Sequence, residues 1–172
     1  MIENYRWLAG VIAAHRHGRV AGRTRLQKEI KLLQRLGLPT RYRYTIHFYG
    51  PYSEGLHAEL RMLESMELVT ESEATNAHGK SYYVIQAKEG TELKEVERFQ
   101  PFIEQLEDTD AVVLELAATY DAFRQMGDDH ERARTRLRRK KGTKCNEGRE
   151  EQALQLLVDL GLSSTCETSS AN

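Results

Sequence analysis

Apolar residues recur at helical spacing near the start of the chain. Tyr5, Leu8, Ala9, Ile12 and Ala13 predict a helix over about residues 3–17, stopped by Gly18. Leu26, Ile30, Leu33 and Leu36 repeat the pattern in a second helix. Thr24, three residues before Gln27, reads as a capping box for that helix, and Gly37 sits where a left-handed C-terminal residue belongs. The pattern then changes. Residues 42–49, YRYTIHFY, are β-branched and aromatic and predict a strand, which Gly50-Pro51 turns. Ser53 offers an N-cap oxygen with Glu54 in the first turn, and Leu56, Leu60, Leu63 and Met66 form the stripe of a third helix. Tyr49 and Tyr52 are expected to pack the corner between strand and helix.

Two extended runs follow, Glu67–Ser72 and Ser81–Ala87, separated by the turn-rich ATNAHGK. The order helix, helix, strand, helix, strand, strand predicts an α+β, mostly helical protein with a winged-helix domain over residues 1–90. A helical extension is expected over 91–162. Within it Asp108-Thr109-Asp110 starts a helix carrying Val113, Leu116, Ala117, Tyr120 and Phe123. A basic helix at 130–141 has only Ala133 and Leu137 as apolar anchors, and a last helix at 149–160 ends at Gly161. The polar stretch 163–172 is expected to be a disordered tail.

Charge sharpens this picture. The chain of 172 residues has a net charge of −1, but the charges are segregated. Residues 1–43 carry ten Lys/Arg against Glu3 and Glu29, and residues 44–110 carry five basic against fourteen acidic groups. Residues 132–144 carry eight basic groups and no acid. Such polarity bears on partners more than the total does. No apolar run approaches the ~20 residues of a bilayer span, and no membrane role is expected. The N-terminus lacks a basic leader and reads as a helix face. Cys145 and Cys166 form no CxxC pair, which disfavours a zinc site or disulfide framework and suits a reducing cytoplasm.

Candidate chemistry is sparse. The corner before the third helix lacks the glycine-rich cradle and Lys-Ser/Thr pair of a P-loop, and Ser53 lacks a GxSxG setting, so its role is that of a cap. His15 and His17 are two residues apart, do not share a helix face, and read as a solvated helix end. No HExxH or comparable set appears. No cofactor and no metal ligand set is expected.

The ordered elements Arg23-Thr24-Arg25-Leu26-Gln27-Lys28, Phe48-Tyr49-Gly50-Pro51-Tyr52-Ser53 and His57-Ala58-Glu59-Leu60 resemble the uncharacterised bacterial YwgA-like proteins. Leu114-Glu115-Leu116-Ala117-Ala118-Thr119-Tyr120 looks like that family's second helical block. The resemblance covers about residues 1–160 and brings no established catalytic residues. More distantly, the Leu-Gln-Lys and Tyr-Gly-Pro elements are similar to the SocA or Panacea type of antitoxin domain. That likeness implies a domain that binds a partner protein, and DNA.

The expected function is therefore a non-enzymatic binding module, a DNA-binding regulator or an antitoxin-like partner binder. A small hydrolase or nuclease is the alternative from another class. The third helix, with Glu54, Glu59, Glu64 and Glu67, repels phosphate and disfavours ordinary recognition-helix docking. The expected contacts to duplex DNA are instead Arg19, Arg23, Arg25, Lys28, Arg134, Arg138, Arg139, Lys140 and Lys141. A toxin-like protein partner or a homodimer is the other expected association. Aromatics suited to stacking are not concentrated near either basic run in the sequence.

Overall fold

A computed structural model describes residues 1–164. The protein is α+β and mostly helical, with small antiparallel sheets. It divides into two compact units. One comprises Met1–Tyr44 with Tyr52–Asp108, and the other Thr45–Pro51 with the described residues from Thr109 onward. The expected boundary near residue 90 thus has Lys94–Glu107 clustering with the first unit, and most of the expected tail lies outside the described residues.

The first unit runs α1 (Asn4–Ala14), β1 (Arg19–Ala21), α2 (Arg23–Arg35), α3 (Glu54–Ser65), β4 (Val69–Thr75), β5 (Ser81–Ala87) and α4 (Gln100–Glu107). Its sheet has the order β1-β5-β4, all antiparallel, with Val20 and Glu71 both opposite Ile85. Period-two alternation buries Val20, Ile85 and Val69 and leaves Arg19, Ala21, Thr70 and Ser72 exposed. Leu26, Ile30, Leu33, Leu56, Leu60 and Leu63 are all buried as expected. Helix α1 packs on β5 and α3, and on the 3₁₀ turn Lys94–Phe99. The last contact needs Gly10, because a Cβ there would lie 2.7 Å from Leu93 Cβ.

Several expectations need correction. The first helix ends at Ala14, and a tight turn with left-handed His17 and Gly18 leads directly into β1. That strand was not expected, because three residues with one apolar position carry no readable alternation. Helix α2 starts at Arg23 behind Gly22 (φ +113), and no side chain caps it, so Thr24 and Gln27 form no capping box. Met66 is exposed, because α3 has ended at Ser65.

The second unit holds a short hairpin, α5 (Ala111–Gln125), α6 (His130–Lys141) and α7 (Arg149–Asp159). Asp110 caps α5 through Val112 N–H and Val113 N–H. Helix α5 is buried almost continuously from Val113 to Phe123, and α6 and α7 pack on it. In the hairpin, β2 (Thr45–His47) pairs with β3 (Gly50–Tyr52). The chain therefore reverses at Phe48-Tyr49 and not at Gly50-Pro51, and the expected strand over 42–49 shrinks to three residues.

Candidate functional site

The two motifs near Gln27 and Ser53 are joined by backbone mimicry. Gln27 Nε2–H donates to Ser53 O at 3.0 Å, and Ser53 N–H donates to Gln27 Oε1 at 2.9 Å. The amide thus replaces one rung of a strand ladder and fixes the segment that opens α3. Ser53 Oγ accepts from Leu56 N–H at 3.3 Å, as expected of a cap. Both Gln27 and Ser53 are buried, at 3% and 1% exposure. This accounts for the serine without chemistry.

Moving the turn to Phe48-Tyr49 changes the role of the aromatics. Phe48 is 80% and Tyr49 55% exposed, so Tyr49 does not pack a corner. Tyr52 is the ring that lies near His57 within the first unit. The two tip rings meet edge to face at 5.0 Å between centroids. Their base is held by cations of the second unit. Lys141 Nζ donates to Phe48 O at 3.0 Å and to Glu115 Oε1 at 2.5 Å. Lys144 Nζ reaches both Glu115 oxygens at 3.0 and 3.1 Å and lies 5.2 Å from the Tyr49 ring centroid. Burial pulls the Lys141 ammonium below the usual lysine range, against the opposing hold of Glu115. Two ammonium groups share one carboxylate here, which leaves the foot of the hairpin positive. The aromatics and the end of the basic run are thus adjacent in space although distant in sequence.

The nine cations expected to meet DNA divide sharply. Arg23 pairs with Glu71, with Nε 2.9 Å from Oε2, and its guanidinium lies 3.8 Å from the Tyr83 ring centroid. Arg25 reaches Glu29 at 3.2 Å and Leu106 O at 3.0 Å. Lys28 is buried. Arg134 is buried and bonds Glu150 Oε1 at 2.7 Å, while Arg138 bonds Glu150 Oε2 at 2.8 Å. Lys141 is buried as described. Arg134 and Lys141 therefore do not project into solvent, and α6 is packed rather than loosely attached. Arg19, Arg139 and Lys140 are exposed, and Arg138 is half exposed.

A buried charge cluster lies behind Arg25. His15, expected in solvent, is 4% exposed. Its Nδ1–H donates to Val11 O at 2.8 Å, and its Nε2 lies 2.7 Å from Glu29 Oε2. With an acceptor at each nitrogen, the imidazolium is the form that satisfies both. Burial alone would lower its pKa, but Glu29 and the Val11 carbonyl outweigh burial and raise it. His15, Arg16, Arg19 and Arg25 line a cleft of about 580 Å³ with Val20 and Ala21 of β1 and Tyr82 and Val84 of β5. Sequence reasoning placed His15 in solvent and gave no role to Glu29, Glu115 or Glu150. Only the i, i+4 spacing of Arg25 and Glu29 was available as a signal. Among the described residues, no three His, Cys, Asp or Glu side chains cluster as a metal ligand set.

These features define an α+β, mostly helical protein whose described residues include no helix long and apolar enough to cross a membrane. The chain is similar to the uncharacterised protein YwgA of Bacillus subtilis (strain 168), at 26% identity over 148 residues, spanning 83% of this chain and 89% of that protein. No family model matches the chain.

Proposed function

We propose that this chain is a non-enzymatic, cytoplasmic partner-binding protein built on a winged-helix domain, docking a protein through the Phe48-Tyr49 hairpin. The winged-helix reading is supported by the succession α1-β1-α2-α3-β4-β5, with the first strand joining the last at one sheet edge. The observation that carries the docking role is the tip itself. A phenylalanine 80% exposed on a two-stranded hairpin, anchored by a buried lysine, is an aromatic anchor held ready for a pocket. An antitoxin-like role follows from the motif resemblance and suits such a surface. Duplex DNA is the second reading, favoured by the exposed Arg19, Arg139 and Lys140. It is weakened because Arg23, Arg25, Arg134 and Lys141 hold internal acceptors, and because the exposed face of α3 carries Glu54.

The test places a photo-crosslinking phenylalanine analogue at position 48 in cells that express the chain natively, with exposed Glu151 as control position. A discrete protein adduct from position 48 but not from 151, lost in Lys144→Glu, supports docking. An adduct of the chain with itself identifies a homodimer. Equal adducts at both positions, or none together with salt-sensitive retardation of duplex DNA, overturns docking in favour of the second reading.

A further inference from the structure

The cleft of about 580 Å³ in the first unit plays no part in docking through the hairpin. It is lined by β1 and the turn before it, by Tyr82 and Val84 of β5, and by His15, Arg25 and Glu107. The register sets Arg19 opposite Gln86 and Ala21 opposite Val84, and Tyr82 follows on the same face two residues beyond Val84. Arg19 and Tyr82 thus stand four positions apart, about 13 Å along the strands. The register sets the short apolar side chains of Ala21 and Val84 between them on that face.

The two ends differ in chemistry. At one end, Arg16, His17 and Arg19 come from the turn that left-handed His17 and Gly18 create. Arg16 is bound to Asp108 at 2.7 Å and lies 3.8 Å from Glu107, whereas Arg19 has no ion-pair partner among the described residues. Arg25 adds a third guanidinium to the lining, against Glu107 as the acidic member. At the other end the Tyr82 ring is 37% exposed.

A guanidinium at Arg19 and a planar ring at Tyr82 lining one cleft suit a phosphate joined to an aromatic base through a sugar. Free phosphate would use only one end, and the bases of a duplex are stacked away from such a ring. We infer that this cleft binds a nucleoside monophosphate, with its phosphate on Arg19 and its base against Tyr82.

Titration calorimetry on the full chain with AMP, GMP, CMP and UMP tests this, with inorganic phosphate and adenosine as controls. At least one mononucleotide should bind roughly tenfold or more tightly than either control, because each control satisfies one end only. Tyr82→Leu should weaken that binding by about fivefold or more, and Tyr82→Phe should retain it. Arg19→Gln should weaken it by roughly tenfold. Both positions are exposed, and unchanged far-ultraviolet circular dichroism establishes that the variants fold. The inference is overturned if no mononucleotide binds more tightly than inorganic phosphate. It is equally overturned if Arg19→Gln and Tyr82→Leu leave the affinity unchanged.

Discussion

His15 and Glu29 lie at 2% and 0% side-chain exposure and form a pair whose stability contribution must depend on pH in a defined direction. Glu29 accepts from His15 at 2.7 Å and from Arg25 at 3.2 Å, so it serves two cations. Replacing Glu29 with Leu removes the carboxylate that the two cations share and leaves the buried imidazolium only Val11 O, at a cost of about 3–5 kcal/mol. His15→Leu removes only one cation, because Arg25 still holds the carboxylate. The His15 pKa is raised in the folded chain. Its contribution is therefore complete below the unfolded value of about 6.5 and is lost as pH rises through the folded value. His15→Leu should accordingly cost about 3 kcal/mol at pH 5.5 and less at pH 9, where a neutral ring keeps only an ordinary hydrogen bond. Urea unfolding followed through Trp7 reads this directly. That residue is the chain's only tryptophan, is 4% exposed, and lies on the helix that ends just before His15. A His15→Leu cost that is equal at the two pH values, or a Glu29→Leu cost below that of His15→Leu, would refute the reasoning.

Gln27→Ala should destabilise the first unit by about 2–4 kcal/mol, since both bonds to Ser53 are buried and the freed backbone groups have no replacement. Gln27→Glu should not restore it, because a carboxylate cannot donate to Ser53 O, and urea midpoints measure both. Gly10→Ala should cost about 1–3 kcal/mol by overpacking against Leu93 Cβ, read as a lowered thermal midpoint. Burial would raise the Glu150 pKa, but the bonds from Arg138 and Arg134 outweigh it and lower the value. Its contribution is therefore present above the unfolded value of about 4.3 and is lost as pH falls through the folded value. Glu150→Gln should flatten this acid loss in circular dichroism melts.

Apolar stripes at helical spacing marked α2, α3 and α5 correctly, because burial on one side of a helix leaves a repeating trace. Leu26, Ile30, Leu33, Leu56, Leu60 and Leu63 are buried where that trace put them. Strand β1 left no trace, since Arg19–Ala21 is too short to alternate and gains its identity from pairing with residues 84–86. Gln27 shows a different limit. Its spacing from Thr24 fits a local cap, yet its amide completes a backbone rung at Ser53, and no local rule distinguishes the two uses. Tyr49 was read as packing the corner between strand and helix because aromatics usually bury, and Phe48 as a residue of the strand. Whether they do depends on where the chain reverses, and a two-residue shift of the turn placed them at the tip.

The basic run of α6 shows how much of its own burial pattern was present in its spacing. Arg134, Leu137, Arg138 and Lys141 recur at three- and four-residue intervals and so share a helix side with the apolar anchor Leu137. Arg134 and Lys141 are buried with it and Arg138 lies at its margin, while Arg132, Arg139 and Lys140 face solvent. A run of like charges on a packed helix therefore contains two populations, and the periodicity separates them before any partner is known. What the spacing cannot supply is the acceptor. Glu150 lies 16 residues from Arg134, Glu115 lies 26 residues before Lys141, and Phe48 lies 93 residues before it. These separations are set by the packing of α6 and α7 on α5 and by the path of the hairpin. The same packing that buries these cations also holds Phe48 in place, so neutralising Lys141 should alter the hairpin tip as well as the helix that carries it.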